Sequence, residues 1–201
     1  MNIIAGISEE TTALFSHNDK IIEHFCEGYK VFIVSCIGDR TDLSIASYLA
    51  NVNGNQKMIF VPSEISEESL NEIISKVEGK SLLYSECTNE TVFGDVQVLI
   101  IDFLDSLPWI YKYCNYAYIG IGDEQYRPTI LETITYGIPI AFRSKIYQTK
   151  IHSEIIRLGI GTIIRNGKGL DKWFKNIRND ENILSDIHRT SINYIKSNDR
   201  L

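Results

Sequence analysis

The sequence predicts an α/β fold, a Rossmann-like three-layer domain in which a mostly parallel sheet lies between two layers of helices. Three observations predict it. Short apolar runs recur along the chain, segments with helical apolar spacing separate them, and turn residues stand at the junctions. Continuous apolar runs are typical of parallel strands, which are covered on both faces. Strands that alternate with helices and follow the right-handed crossover rule favour the Rossmann-like topology.

The amino-terminal part supplies the first four strands and the first four helices of this prediction. The apolar run KVFIVSC predicts a strand buried on both faces, and the turn GDRTD introduces a helix that NGN ends. After Pro62, SEES begins a helix whose acidic first turn complements the helix dipole. Apolar spacing and a capping Asp19 predict the helices near the amino terminus. The predicted strands span 2–5, 30–36, 57–61 and 81–84, and the helices span 9–15, 19–25, 43–51 and 66–77.

The carboxyl-terminal part continues the alternation around one β-α-β unit, NYAYIGIGDEQYRPTILETITYGIPIAF, at residues 115–142. A helix that starts just past the carboxyl end of a parallel strand points its N–H groups at the crevice, which favours phosphate or carboxylate. Pro128 suits the first helical position, and Glu132 follows about one turn later. Asp105 or Ser106 caps the helix before this unit. The predicted strands span 96–101, 116–121, 138–142 and 161–164, and the helices span 105–113, 129–136, 149–158, 170–176 and 181–197.

Composition and charge narrow the classes of function. The 201 residues, 44% of them hydrophobic, suffice for the core of one domain, so we expect residues 1–201 to form a single domain. A net charge of −6 disfavours nucleic acid as a partner, because phosphate backbones require clustered Lys and Arg. No apolar run approaches the roughly 18 residues of a transmembrane segment, and the amino terminus lacks a signal-peptide pattern. We therefore expect a cytoplasmic protein with no transmembrane segment.

The cysteines and histidines indicate no metal site. Four of each are scattered without metal-ligand spacing and without the pattern of a disulfide framework. We therefore predict small buried thiols, no metal and no cofactor. Cys36 lies at the end of a predicted strand, where a reactive thiol is the alternative interpretation.

Several polar residues near the predicted crevice have both a functional and a structural interpretation. Arg127 and Arg143 lie at strand ends, where a guanidinium either binds phosphate or carboxylate or is simply exposed. Asp39 and Asp42 form a carboxylate pair at the crevice, or one of them is a helix N-cap. Aromatic side chains nearby fit core packing better than stacking on a base, namely Tyr111, Tyr113, Tyr116 and Tyr118.

The central unit also carries a resemblance. YIG-x-G, then LE, then YGIPI-x-F resembles the donor-binding motif GGGFG-x-GIHN-x-LEP and YG-x-P of the 3-deoxy-D-manno-octulosonic acid (Kdo) transferases, which are two-domain GT-B glycosyltransferases. Four further motifs are similar in order: VFIVSCIG, VPSEI, YSE and VLIIDFLDSLPWIY, with IIRLG after the unit. Together the matches cover about residues 19–196. Nearly the whole chain thus resembles the carboxyl-terminal, donor-binding half of that family.

The resemblance implies a crevice that binds a nucleotide sugar of the CMP-Kdo type. In this interpretation the Glu132 carboxylate holds a hydroxyl of the donor, on the nucleotide ribose. From the residues alone, Glu132 and Glu64 each have two interpretations, as a carboxylate that faces the ligand or as a solvated or capping residue. The family's acceptor surface and general base belong to its other half, so a separate acceptor-domain protein is the implied partner and the domain is not expected to act alone. The implied ligand-binding residues are Ser35, Ser63, Glu64, Ser106, Gly120, Gly122, Arg127, Thr129 and Glu132.

Departures from the family pattern support an alternative function. Ser63 replaces the His of the family's PHE, Asp105 replaces a glycine at a helix start, and Pro128-Thr129 replace the His-Asn pair. A carboxylate at residue 105 would repel the phosphate of a nucleotide. The alternative is therefore a non-catalytic regulatory or assembly module that retains only the scaffold.

Overall fold

The structure, a computed structural model, describes residues 17–103, 107–121, 130–143 and 150–198. The strands are β1 (Phe32–Ile37), β2 (Met58–Pro62), β3 (Lys80–Leu83), β4 (Val96–Ile100), β5 (Tyr116–Ile119), β6 (Ile140–Arg143) and β7 (Gly161–Ile164). They form one seven-stranded sheet in the order β3–β4–β2–β1–β5–β6–β7. Each pairing of neighbours in that order is parallel, which confirms the predicted sheet.

Helices connect successive strands. They are α1 (Lys20–Cys26), α2 (Arg40–Val52), α3 (Glu67–Lys76), α4 (Leu107–Ile110), α5 (Ile130–Ile134), α6 (Lys150–Arg157), α7 (Gly167–Ile177) and α8 (Glu181–Asn198), with 3₁₀ turns at Tyr84–Glu86 and Tyr111–Tyr113. In the described part of the chain, no helix is both long enough and apolar enough to cross a bilayer.

The sheet separates two apolar cores, because successive strand residues point to opposite faces. In β1, Phe32 and Val34 pack into the core under α2, α3 and α7, whereas Ile33 packs into the core under α1, α4, α6 and α8. All six residues of β1 are buried, which explains why the sequence of this strand is a nearly continuous apolar run. The predicted three-layer arrangement is confirmed.

Helix caps account for the differences between predicted and observed helix boundaries. Helix α2 begins at Arg40, three residues before its predicted start, because the Asp39 side chain accepts the N–H groups of Thr41 and Asp42. Helix α7 likewise begins at Gly167 because Asn166 accepts the N–H of Gly169. The predicted strand at 2–5 and helix at 9–15 lie outside the described residues.

The strand order defines where this sheet has its crevice. From β1 the sheet continues through β2 and β4 in one direction and through β5 and β6 in the other. The two parallel neighbours of β1 therefore connect outward in opposite directions. Such a place is called a topological switch point, and here it lies between β1 and β5. Open α/β sheets bind ligands at the carboxyl ends of the strands at a switch point.

Candidate functional site

The end of β1 has a local distortion that shapes this edge of the sheet. Cys36 adopts a φ of 55°, in the left-handed region, and the register with β2 shifts between Ser35 and Ile37. A non-glycine residue there is uncommon, and a bulge of this kind redirects the strand. The chain thereby leaves the sheet, turns at Gly38 and enters α2 with Asp39 as its N-cap.

Two carboxylates stand at the start of α2. Asp39 combines the two roles that the sequence left open, because its carboxylate caps the helix and also faces the carboxyl edge. Asp42 lies in the first turn and is 0% exposed. A carboxylate in such a position must be paired, because burial of an unpaired charge costs several kcal/mol.

Asp42 receives its hydrogen bonds from three directions. Its Oδ1 accepts the hydroxyl of Tyr118 at 2.9 Å and the Nη1 of Arg143 at 3.1 Å. Its Oδ2 accepts the backbone N–H of Ile121 at 2.9 Å. Burial and the neighbouring Asp42 carboxylate raise the pKa of Tyr118 far above its usual value, so the phenol remains a donor. Asp42 thus connects α2 with β5, with β6 and with the backbone after β5.

Arg143 is the cation of this cluster. It ends β6, is 8% exposed, and its Nη1 lies 2.7 and 2.8 Å from the two carboxylate oxygens of Asp39. Burial alone would lower the pKa of Arg143, but the two carboxylates outweigh burial and raise it. The guanidinium therefore stays charged, and it is paired with the carboxylates of Asp39 and Asp42. We call Asp39, Asp42, Tyr118 and Arg143 the switch-point cluster.

Gly120 makes the close approach between β5 and this cluster feasible. A Cβ at Gly120 would lie 2.2 Å from the carbonyl oxygen of Cys36 and 2.8 Å from the Asp42 Cγ. The Gly120 N–H donates to the carbonyl oxygen of Ser35 at 2.8 Å. A residue without a side chain is therefore required here for packing, which gives the YIG of the motif a physical reason.

Ser35, a predicted ligand-binding residue, lies beneath the crevice. It is 0% exposed, and its hydroxyl is 2.6 Å from the hydroxyl of Tyr111, which is also buried. The core prediction is confirmed for Tyr111, Tyr116 and Tyr118, which are each 0% exposed, whereas Tyr113 is only partly buried. All four cysteines are buried, as predicted.

Ser63 and Glu64 line a second feature, a cleft of about 260 Å³ between the carboxyl ends of β1 and β2. The Ser63 hydroxyl donates to the carbonyl of Ile37 at 3.1 Å, whereas Glu64 is exposed. The charged residues that line this cleft are Asp39, Arg40, Glu64, Glu68 and Glu72. With four carboxylates and one guanidinium, the cleft favours cationic over anionic groups.

The predicted site residues are only partly brought together in the described residues. Ser35 and Gly120 are neighbours at the switch point, and Ser63 and Glu64 share the adjacent cleft. Glu132 belongs to α5. The remaining predictions, at Ser106, Gly122, Arg127 and Thr129, fall outside the described residues, as does Asp105.

The pairing of Arg143 with both aspartates was not predicted from the sequence. One signal was available in α2, where Asp42 occupies the same helical face as Ile45, Ala46 and Leu49. That spacing buries one face of a helix, so an acidic residue on it requires a cationic or hydrogen-bonding partner. The identity of the partner depends on the strand order, which local patterns do not contain.

Comparisons with known proteins bear on the fold. No protein-family model and no curated protein matches the sequence. Among solved structures, the carboxyl-terminal CMP-Kdo-binding domain of WaaA from Acinetobacter baumannii is similar, with a TM-score of 0.67, 16% identity, and coverage of 90% of this chain and 96% of that chain. The carboxyl-terminal domain of the glycosyltransferase LpcC from Francisella tularensis has a TM-score of 0.60 and 11% identity, with 93% and 96% covered.

A third similar structure is the Anabaena protein HepE in complex with UDP-glucose. Its TM-score is 0.60 at 12% identity, and the match covers 92% of this chain but 50% of HepE. At these identities the comparisons establish the fold. The chain has the fold of the carboxyl-terminal domains of GT-B glycosyltransferases.

Proposed function

We propose that this domain binds a nucleotide sugar of the CMP-Kdo type, as the donor half of a glycosyltransferase. The observation that carries the proposal is the coincidence of two independent features at one place. The strand order has its switch point between β1 and β5, where open α/β sheets bind ligands. Ser35 and Gly120, which the motif resemblance implies as ligand-binding residues, flank that same point.

The nature of the donor follows from the motif resemblance rather than from the fold. WaaA is described as binding CMP-Kdo and HepE as binding UDP-glucose, so this fold accommodates more than one nucleotide. The ordered motifs resemble those of the Kdo transferases. They support a CMP-activated sugar acid as the ligand.

In this proposal the acceptor side belongs to a separate protein. Glycosyl transfer requires the acceptor hydroxyl, a general base and the donor in one cleft. The domain by itself is then expected to bind the donor without transferring the sugar, and the proposal keeps the cytoplasmic location expected from the sequence. The residues proposed to form the donor site are Ser35, Ser63, Glu64, Ser106, Gly120, Gly122, Arg127, Thr129 and Glu132. Of these, Ser35 and Gly120 are buried and would shape the crevice from beneath rather than contact the donor.

Calorimetric titration of the purified chain with CMP, CMP-Kdo and UDP-glucose tests the proposal. We expect saturable heat with CMP and CMP-Kdo, and weaker binding of UDP-glucose. A dissociation constant of about 1 mM corresponds to about −4 kcal/mol, which is little for a donor site. If none of the three ligands binds even that weakly, the proposal is wrong.

Glu132→Gln is the sharpest variant for the proposed site. The change keeps the shape of the side chain and removes its charge, and a hydrogen bond to a charged group contributes about 1.5–3 kcal/mol. We therefore expect the Kd for CMP to rise about tenfold to a hundredfold, with little change in Tm. Glu23→Gln, in the first turn of α1, removes a carboxylate at a comparable helical position and is the control. An unchanged Kd in Glu132→Gln would exclude Glu132 from the site.

A non-catalytic regulatory or assembly module is the second candidate, and one observation favours it. The switch-point cluster pairs Arg143 with protein carboxylates, and the adjacent cleft has an excess of negative charge. Both features suit a cationic partner better than a nucleotide phosphate. Recovery of a specific protein partner by the purified chain, together with no binding of CMP or CMP-Kdo, would favour this module over the donor domain.

A further inference from the structure

The switch-point cluster contains a residue that the motif resemblance does not assign. Asp42 is completely buried, yet it lies at the carboxyl edge where the proposed ligand site is. We propose that Asp42 is a positioning residue, which holds the backbone at Gly120–Ile121 in the geometry that ligand binding requires. This inference rests on the proposed function for its ligand and on the structure alone for its geometry.

The contacts of Asp42 suit a positioning role. Its carboxylate accepts the N–H of Ile121, the hydroxyl of Tyr118 and the guanidinium of Arg143, all within 3.1 Å. Hydrogen bonds to an ionised acceptor are shorter and stronger than those between neutral groups. The three donors come from β5, from β6 and from the backbone after β5. A single side chain therefore fixes two neighbouring strand ends against the start of α2.

Steric contact supplies the other half of the constraint. The Asp42 carboxylate and the Cys36 carbonyl both occupy the space where a Cβ of Gly120 would lie. Hydrogen bonding to Ile121 and this close packing act on adjacent residues. The peptide between Gly120 and Ile121 therefore has little freedom to rotate while Asp42 keeps these contacts.

A purely structural role is the competing explanation, because a buried paired carboxylate also stabilises the fold. The two explanations predict that removal of the Asp42 charge changes different properties of the protein. A structural role affects all amides that exchange through global unfolding, whereas positioning affects the local opening at Ile121 and the affinity for ligand. The test therefore needs a variant that is destabilised by a similar amount at a distant position.

Asp42→Asn and Lys57→Met are suitable variants for this test. Asparagine keeps the size of the side chain and removes the charge that Arg143 and Tyr118 face. Lys57 is also buried and charged, but it precedes β2 at the opposite edge of the sheet, where it donates to the carbonyls of Phe93 and Gly94. Amide hydrogen exchange of the ligand-free proteins is measured at Ile121 and, as an internal reference, at residues of β2 and β4.

We expect the Ile121 amide to exchange at least about tenfold faster in Asp42→Asn than in wild type, relative to the reference strands, and to be unchanged in Lys57→Met. We also expect the Kd for CMP, measured where each variant is fully folded, to rise about tenfold in Asp42→Asn only. Equal exchange at Ile121 in wild type and Asp42→Asn overturns the proposal. So does faster exchange with an unchanged Kd.

The two measurements separate this inference from the proposed function. If wild type binds no CMP and no CMP-Kdo, the donor proposal fails. The exchange measurement, which contains no ligand, still decides whether Asp42 holds the backbone at Ile121. If the Kd rises equally in Asp42→Asn and Lys57→Met, the loss of affinity reflects general destabilisation, and the positioning role is wrong.

Discussion

Charge is buried in different ways at the two ends of the strands, which we call the carboxyl edge and the amino edge of the sheet. At the carboxyl edge, the switch-point cluster pairs the buried Asp42 with Arg143, which also contacts the half-exposed Asp39. At the amino edge, Lys57 is 5% exposed and donates to the backbone carbonyls of Phe93, Gly94 and Val96. The buried charge at the carboxyl edge is therefore paired with an opposite charge, whereas that at the amino edge is hydrogen-bonded to neutral backbone carbonyls.

The amino edge solves a local problem. The Lys57 ammonium lies 5.2 Å from the ring centre of Phe25 and 5.1 Å from that of Tyr29. Its carbonyl partners are Phe93 and Gly94, in the turn before β4, and Val96, the first residue of β4. Burial lowers the pKa of Lys57, and the nearby Asp95 raises it by less. The side chain thus joins this turn and the start of β4 to the start of β2.

The carboxyl edge connects elements that are distant in the sequence. Asp42 and Arg143 are separated by 101 residues, and Asp42 also contacts β5 and the residue after Gly120. Ionised partners give stronger and more directional contacts than neutral carbonyls. The buried charge at the switch point therefore fixes the geometry of several strand ends, whereas that at the amino edge joins one turn and the start of β4 to the neighbouring β2.

The largest effect on stability is expected from Asp42→Ala, which removes the buried carboxylate of the carboxyl edge. Removal of one partner of a buried ion pair costs about 3–5 kcal/mol, because the other charge is left without full compensation. We expect a loss of this size in the free energy of unfolding, measured by urea denaturation. The control is Ser44→Ala, at an exposed position of the same helix, which should change little. A loss below about 1 kcal/mol would show that Asp42 is not a main support of this edge.

The outcome for the fold shows how much local patterns contain. Each of the seven observed strands overlaps a predicted one. The five inner strands are buried along their whole length and must therefore be largely apolar, which made them recognisable. Helix starts were less accurate. Asp39 was considered as a cap, but α2 was predicted to start at residue 43, since the apolar spacing begins only at Leu43.

The candidate site was less predictable than the fold, for a physical reason. Asp39 and Asp42 were recognised as neighbours of the crevice, since both follow the end of β1 in the sequence. Arg143 was recognised only as a residue at a strand end, because its contact with both aspartates requires β1, β5 and β6 to be adjacent. Strand order is set by packing over the whole domain, and no short segment encodes it.

A smaller effect on stability is expected from Lys57→Met, which removes the buried charge of the amino edge. Methionine keeps most of the apolar length of the side chain and leaves the carbonyls of Phe93 and Gly94 without their donor. An unsatisfied buried polar group costs about 1–3 kcal/mol, and carbonyls near the surface regain water readily. We expect a loss in that range by urea denaturation, below that of Asp42→Ala. A loss that exceeds the loss in Asp42→Ala would reverse the ranking of the two edges.

The smallest effect is expected from Asp39→Asn, which separates the exposed part of the switch-point cluster from its buried part. Asparagine caps helices as well as aspartate does, so the change removes mainly the charge that faces Arg143. The Asp39 side chain is 45% exposed, and pairs of this kind contribute about 0–1 kcal/mol. We expect a decrease in the free energy of unfolding within that range at pH 7.

The pH dependence of this small difference identifies its source. Burial alone would raise the pKa of Asp39, but hydrogen bonds from Arg143 and from the N–H groups of Asp42 and Thr41 hold it below 3.8. A lowered carboxyl pKa contributes stability that is present above the unfolded value and lost as the pH falls through the folded value. The difference between wild type and Asp39→Asn should therefore be constant above about pH 5 and shrink below 3.8. Asp186→Asn, which breaks an exposed pair with Arg189, is the control. A difference that persists unchanged at pH 3 would mean that the charge of Asp39 contributes nothing, and that the cluster depends on Asp42 alone.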